Sequence, residues 1–259
     1  MAALKSRSRL WTTALLALAA LVALGSLLRA KHVSHPFQSF PRVTLWAWER
    51  PEDLRSLDPQ QTAVAYLDQT IFITDHVIVH PRMQRLLVAP SAKIIAVIRL
   101  EAPVQSAQLA APNLASTVAD LVVAAAHKPQ VAALQVDFDA GRSQREFYSS
   151  LLSEIRKRMA PDMPLSITAL LSWCGRDDWI KNLPIDEAVP MYFRLGGYER
   201  SPQEPGWTYT IREPLCETSA GISTDEPWPK VHKDQRLYVF HPKSWNEVAL
   251  QNVKTWTAQ

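Results

Sequence analysis

Asp137 and Asp139 stand two residues apart at the end of the run Ala133-Leu134-Gln135-Val136-Asp137-Phe138-Asp139-Ala140, an apolar segment of strand character that stops abruptly in two carboxylates. Alternation along a strand puts both acids on one face and Phe138 on the other. Unpaired buried charge is costly, so in a strand covered on both sides the acids must emerge at its end. Such a pair can do acid–base chemistry, or it can open an Asx-type turn into a helix with Asp139 or Ser143 as the cap. A second acidic run, Gly221-Ile222-Ser223-Thr224-Asp225-Glu226-Pro227-Trp228-Pro229, ends another strand in adjacent acids. Two carboxylates across a sugar-sized gap are the apparatus of glycoside hydrolysis: an acid of raised pKa protonates the leaving oxygen while an ionised partner attacks or activates water. Asp137 or Asp139 facing Glu226 would supply that pair, which makes these three the catalytic candidates.

The elements that must position them are legible as short apolar segments. Eight read as strands: Val43 to Trp48, Ala63 to Asp68, Lys93 to Leu100, Val131 to Asp137, Leu165 to Leu171, Glu187 to Phe193, Ala220 to Ser223 and Arg236 to His241. Helical periodicity falls between several of them, best over Leu114 to His127, Arg142 to Arg158 and Ser244 to Trp256. Ser143 with Glu146 has the spacing of a capping box. Repeated alternation of strand and helix argues for a parallel sheet with helices outside, and eight strands for a closed (β/α)8 TIM-type barrel. An irregular barrel is expected. Gln69 to His80, rich in Ile, Val and Thr around Thr74-Asp75-His76, reads as a hairpin where a second helix would stand, and the connection between strands seven and eight is short for a helix. An open doubly wound sheet is the structural alternative, though it lacks a Gly-rich first turn. In a barrel Val131, Ala133, Gln135 and Asp137 face inward while Ala132, Leu134 and Val136 meet helices. The inward Gln135 then needs a hydrogen-bond partner, which points to a polar floor beneath the site.

Polar and aromatic residues gather at the other strand ends, the face that carries active sites in barrel enzymes. Trp46, Trp48, Glu49, Tyr66, Asp68, Arg99, Glu101, Trp173, Arg194, Asp225, Trp228 and His241 are therefore candidate substrate-binding residues. Aromatic faces can stack on sugar rings, and arginines can hold acidic groups bidentately. Each of these residues can equally be a loop or packing residue, and each arginine can be paired with a neighbouring carboxylate.

Other chemistry is poorly supported. The sequence holds no GxSxG elbow, P-loop or GxGxxG. His76 and His80 have the spacing of a helical metal pair, but Val77-Ile78-Val79 between them favours a strand, where that spacing clamps zinc poorly. No metal and no cofactor is expected. Lys5, Arg7 and Arg9 precede an almost uncharged stretch from Leu10 to Leu28, the pattern of a signal peptide or an N-terminal membrane anchor over residues 1–31. A linker over 32–42 and a single domain over 43–259 follow, with the domain exported, periplasmic or membrane-anchored outside the cytoplasm. The formal charge of +3 includes five basic residues and no acid in that leader, so the body is net −2 and a nucleic-acid partner is not expected. Cys174 and Cys216 are the only cysteines. In an exported chain they are disulfide candidates, and closing their loop would add roughly 3–4 kcal/mol. The opposing reading is two buried thiols, because Cys174 should follow one strand and Cys216 precede another, at opposite ends of a parallel sheet.

Several runs together resemble a bacterial family known as domain of unknown function 3142, placed among the TIM-barrel glycoside hydrolases. They are Leu45-Trp46-Ala47-Trp48-Glu49-Arg50, Tyr66-Leu67, Leu134-Gln135-Val136-Asp137-Phe138-Asp139-Ala140, Ser166-Ile167-Thr168-Ala169-Leu170-Leu171-Ser172-Trp173-Cys174, Val189-Pro190-Met191 and Ser223-Thr224-Asp225-Glu226-Pro227. The resemblance spans roughly Val43 to Trp245 and implies a barrel and an exported, often lipid- or membrane-attached, protein. It brings no assigned activity and no assigned catalytic residues. Residue chemistry and strand position therefore carry the functional expectation: a glycoside-hydrolase-like protein of the cell envelope acting on a polysaccharide or glycoconjugate, or a barrel that binds a carbohydrate or a partner without turnover. Contact with the membrane would run through an uncleaved leader.

Overall fold

Runs of buried Val, Ile, Leu and Ala form the staves of the barrel, as expected for parallel strands covered on both faces. The computed structural model describes residues 36–104, 107–195 and 209–257; the expected signal or anchor segment over residues 1–31 lies outside the described residues. The strands are β1 (Val43–Ala47), β2 (Glu52–Leu54), β3 (Thr62–Ile73), β4 (Val77–Pro81), β5 (Leu86–Val88), β6 (Ile94–Glu101), β7 (Val131–Asp137), β8 (Leu165–Leu170), β9 (Glu187–Met191), β10 (Ser219–Ser223) and β11 (Arg236–Phe240). Sheet order β1-β11-β10-β9-β8-β7-β6-β3, with β1 also paired to β3, closes eight parallel strands into a TIM-type barrel. The closing pair runs from Val43 opposite Thr62 to Ala47 opposite Tyr66, which excludes the open doubly wound sheet.

Helices α1 (Leu114–Ala124) and α2 (Arg145–Arg158) cover β6 and β7. Leu114, Val118, Ala119 and Val122 form the buried stripe of α1, and Phe147, Tyr148, Leu151, Leu152 and Ile155 that of α2. Both stripes recur at helical spacing and pack on Leu134 and Val136, the outward face of β7. The other α-helices among the described residues are the single turn α3 (Leu171–Gly175) and α4 (Glu247–Thr257), the latter starting three residues later than its periodicity indicates. Among the described residues no helix is long and apolar enough to cross a membrane.

The irregularities are local. Gln69 to His80 folds into the expected hairpin, with Ile73 opposite Val77 and the turn at Thr74-Asp75-His76. The connection between β10 and β11 contains no helix. A small parallel pair, β2 with β5, was not anticipated. The expected Ser143–Glu146 capping box does not form. Instead the Gly141 N–H donates to Gln144 Oε1 at 2.7 Å, and Gln144 Nε2 donates to the carbonyls of Ala102 and Pro103 at 3.0 and 3.1 Å. Ser143 Oγ donates to the Val104 carbonyl at 2.7 Å. These bonds fasten the turn after β7 to the exit of β6.

Cys174 and Cys216 are joined by a disulfide across 42 residues. The strand-polarity objection fails because neither cysteine stays at its strand end. The turn α3 carries Cys174 onto the outside of the barrel, where its carbonyl accepts from the N–H groups of Arg212 and Glu213 just before Cys216. Replacing both cysteines by serine is expected to cost about 4 kcal/mol in the chain-entropy model. For a chain of this size that is a Tm lower by roughly 8–16 °C, read by calorimetry with and without reductant. An unchanged Tm would show that the bridge leaves stability untouched.

Candidate functional site

The barrel interior is a polar column rising to the mouth. At its floor Glu187, fully buried, is paired with Arg236 and accepts from Tyr238 Oη at 2.8 Å. Above it the expected partners of Gln135 are present: Trp46 Nε1 donates to Gln135 Oε1 at 2.8 Å, and Gln135 Nε2 donates to Ser166 Oγ at 3.1 Å. A side chain at Gly221 would crowd the Trp46 ring, since an added Cβ would lie 3.1 Å from it. Gln135→Leu would leave the buried indole N–H unpaired, and a loss of about 1–3 kcal/mol in denaturant titration is expected. A loss below that range would mean the indole finds another acceptor.

At the top of the column the backbone of β7 alternates as expected. Phe138 turns outward against Phe147 and Tyr148, with centroids 6.5 and 5.2 Å away, and this aims Asp137 and Asp139 into the mouth. Asp137 is almost fully buried. Its Oδ1 accepts from Thr168 Oγ1 at 2.7 Å and its Oδ2 from Arg99 Nη1 at 3.0 Å. Asp139 lacks such partners. It is exposed at the mouth, and desolvation by the surrounding protein, followed by the neighbouring charge of Asp137, moves its pKa above the ordinary carboxylate value.

These acids line a cavity of about 440 Å³ at the C-terminal mouth of the barrel. Its aromatic wall consists of Trp46, Trp48, Phe193 and Phe240. Phe193 and Phe240 stack at 5.7 Å with rings 1° apart, Trp46 meets Phe193 edge-on at 6.2 Å, and Trp48 meets Phe240 edge-on at 6.3 Å. Arg99 crosses the boundary of the cavity. Its Nε donates to Glu101 at 2.8 Å and its guanidinium lies 5.9 Å over Trp48.

Of the sequence-derived candidates, the cavity gathers Trp46, Trp48, Arg99, Asp137, Asp139 and Arg194, and an adjoining groove gathers Glu49 and Glu101. The remaining candidates sit elsewhere. Glu226 does not line the cavity: its carboxylate accepts from the backbone N–H and from Nη1 of Arg194, the latter at 2.9 Å. Asp225 accepts from Nη2 of the same arginine at 2.9 Å and from Ser223, and these bonds, Ser223 first, hold its pKa below the usual range. Arg194 takes a left-handed backbone, φ 55°, that aims both its N–H and its guanidinium at these acids. It is thus a clamp on the rim.

Asp68 is displaced because β3 does not end there but continues to Ile73, with a bulge between Leu67 and Gln69. Its carboxylate takes Tyr66 Oη at 2.7 Å and pairs with Lys128, away from the mouth; burial raises the pKa of Tyr66. Trp173 belongs to α3 and packs against Trp179 at 4.9 Å in the outer core. Trp228 lies edge-on to Trp256 at 4.0 Å. His241 hydrogen-bonds Thr224 and packs on Trp245, and burial, then Arg50, lowers its pKa.

Sequence reasoning missed Thr168, Phe193 and Phe240. Strand parity carried the signal, since Phe193 and Phe240 lie two residues beyond the inward-facing Met191 and Tyr238, and Thr168 two beyond Ser166. Among the described residues no group of three or more His, Cys, Asp or Glu could hold a metal ion.

Residues 91–188, which include β6 to β8 and the Asp137–Asp139 pair, match the family model described as "Domain of unknown function (DUF3142)". No curated protein matches the sequence. Among solved structures, a GH18 chitinase from Pseudoalteromonas aurantia aligns over 82% of this chain and 99% of its own, with 10% identity and a TM-score of 0.54. The chitinase domain of the spore coat protein CotE from Clostridium difficile aligns with 18% identity and a TM-score of 0.41 over 64% of this chain. The chain spans about half the length of that domain's chain, 52%. The likeness is one of fold: a TIM-type barrel.

Proposed function

We propose that the mouth cavity binds a glycan and that Asp139 and Asp137 act together on its glycosidic bond. One observation carries this reading: in an aromatic-walled cavity, a carboxyl of raised pKa stands beside a carboxylate held by Arg99 and Thr168. Asp139 is protonated over a wider pH range than a free aspartate, so it can give its proton to the leaving oxygen. Asp137, fixed as the ion-paired carboxylate, either attacks the anomeric carbon or takes a proton from the attacking water. Trp46, Trp48 and the stacked phenylalanines offer apolar faces to sugar rings.

A second reading rests on Arg194. Because it holds both Asp225 and Glu226, no third carboxylate among the described residues lines the cavity, and the cleft would then bind a glycan without cleaving it. Reducing-end release and calorimetric binding, measured on a panel of soluble glycans that includes chitin oligosaccharides, separate the two readings. Turnover by the parent that is lost in both Asp137→Asn and Asp139→Asn supports hydrolysis. Binding that survives both changes with no turnover by the parent supports the second reading, and no binding at all removes both.

The same proposal sets the domain outside the cytoplasm. The Cys174–Cys216 disulfide supports this, because such bridges persist in oxidising compartments, as does the apolar leader sequence.

A further inference from the structure

Beside the catalytic cavity lies a second groove of about 580 Å³, walled by Phe72, His80 and Met83 of the hairpin region, Glu49, and the shared pair Trp48 and Arg99. It exists because a hairpin replaces a helix. Strand β3 runs on past its bulge, and β4 returns so that Phe72 and His80 meet with ring centroids 4.9 Å apart, forming an aromatic ledge. Met83 is 82% exposed beside that ledge, and Glu49 accepts from the N–H groups of Met83 and Gln84, both at 3.0 Å, which fixes the loop behind it.

Arg99 joins the two spaces. One of its nitrogens bonds Asp137 in the cavity and another bonds Glu101 in the groove, with the Trp48 ring beneath. Each space alone has the size of a single small-ligand site, and a shared aromatic wall makes them one path. The charge along that path is also informative. Arg99 faces Asp137 and Glu101, Arg194 faces Asp225 and Glu226, and Asp139 and Glu49 add further acid. Every lining arginine among the described residues is already met by two carboxylates, so neither is left to neutralise an anionic sugar.

We infer that the groove is a second subsite of the same cleft, and that its occupant is a glycan polymer, neutral or bearing free amino groups, long enough to pass Arg99 from one space to the other. This rests on the glycan reading of the cavity and extends it to chain length and charge.

The test is calorimetric binding of dimers and hexamers of glucose, N-acetylglucosamine, glucosamine and galacturonate to the full chain and to two groove variants, Phe72→Ala and His80→Ala. His80 is exposed, so its variant keeps the test valid if Phe72→Ala fails to fold. In at least one neutral or amino series the hexamer is expected to bind at least about tenfold tighter than the dimer. Each groove variant should weaken the hexamer by about two- to tenfold and leave the dimer unchanged. Equal affinity for dimer and hexamer, equal weakening of both by the variants, or tightest binding of the galacturonate hexamer would overturn the inference while leaving the cavity reading intact. Absence of binding in every series would overturn both.

Discussion

Asp139→Asn is expected to lower turnover by about 10²- to 10⁴-fold, the usual contribution of a positioned general acid, while affinity for the same glycan changes little. It is also expected to raise the melting temperature at neutral pH. The sign follows from the direction of the shift. Desolvation and the Asp137 charge hold the Asp139 pKa above its unfolded value, so above both values the folded state bears the cost of an ionised carboxyl that the unfolded chain does not. An amide removes that cost. As pH falls through the folded pKa, wild-type Asp139 takes up a proton ahead of the unfolded chain, and the advantage of the variant closes toward the unfolded value of about 3.9. Melting curves of the two proteins from about pH 4 to pH 8 should therefore converge at the acid end. A variant less stable at neutral pH, with turnover intact, would show that Asp139 is a structural residue.

Glu187→Ala is expected to destabilise the barrel by about 3–5 kcal/mol, the range for removing one partner of a buried ion pair. Arg236, buried at the floor where desolvation already lowers its pKa, would lose the carboxylate it is paired with, and Tyr238 would lose its acceptor. Against a total stability of roughly 5–15 kcal/mol that loss is large. Replacing Glu187 and Arg236 together by Met should cost far less, because the pair's own attraction largely repays its desolvation. Urea titration of the single and double variants checks this, and a double variant as damaged as the single one would contradict it. The effect should also reach the site. Tyr238 packs against Trp46 at 5.4 Å, so loosening the floor releases one wall of the cavity and should raise KM.

The barrel was legible because its signals are periodic and local. Eight buried runs and the inward parity of Gln135 and Asp137 follow from the two-residue repeat, and the Ile, Val and Thr content of Gln69 to His80 announced the hairpin. What stayed hidden depends on events that break the repeat. The bulge beside Leu67 removes Asp68 from the mouth, and the immediate helical turn after Leu170 takes Trp173 to the outer core. Glu226 lies beyond the end of β10, where strand parity no longer dictates direction, and Arg194 claims it through a backbone conformation that sequence does not announce. The candidate disulfide Cys174–Cys216 forms because both cysteines lie in connections, where strand polarity sets no limit. In the site itself the carboxylates and tryptophans were readable, whereas Phe193, Phe240 and Thr168 required the parity rule to be carried to the ends of their strands.

The proposed hydrolysis requires Asp139 to keep its proton to higher pH than an ordinary aspartate, beside the Asp137 carboxyl held by Arg99 and Thr168. The most direct measurement is a carbon-13 carboxyl titration of Asp139, free and saturated with the tightest-binding oligosaccharide of the panel. The pKa should lie above the ordinary aspartate range in the free protein, rise further when a bound sugar excludes water, and fall in Asp137→Asn, where the neighbouring charge is gone. An ordinary value, indifferent to sugar and to Asp137→Asn, would contradict the account.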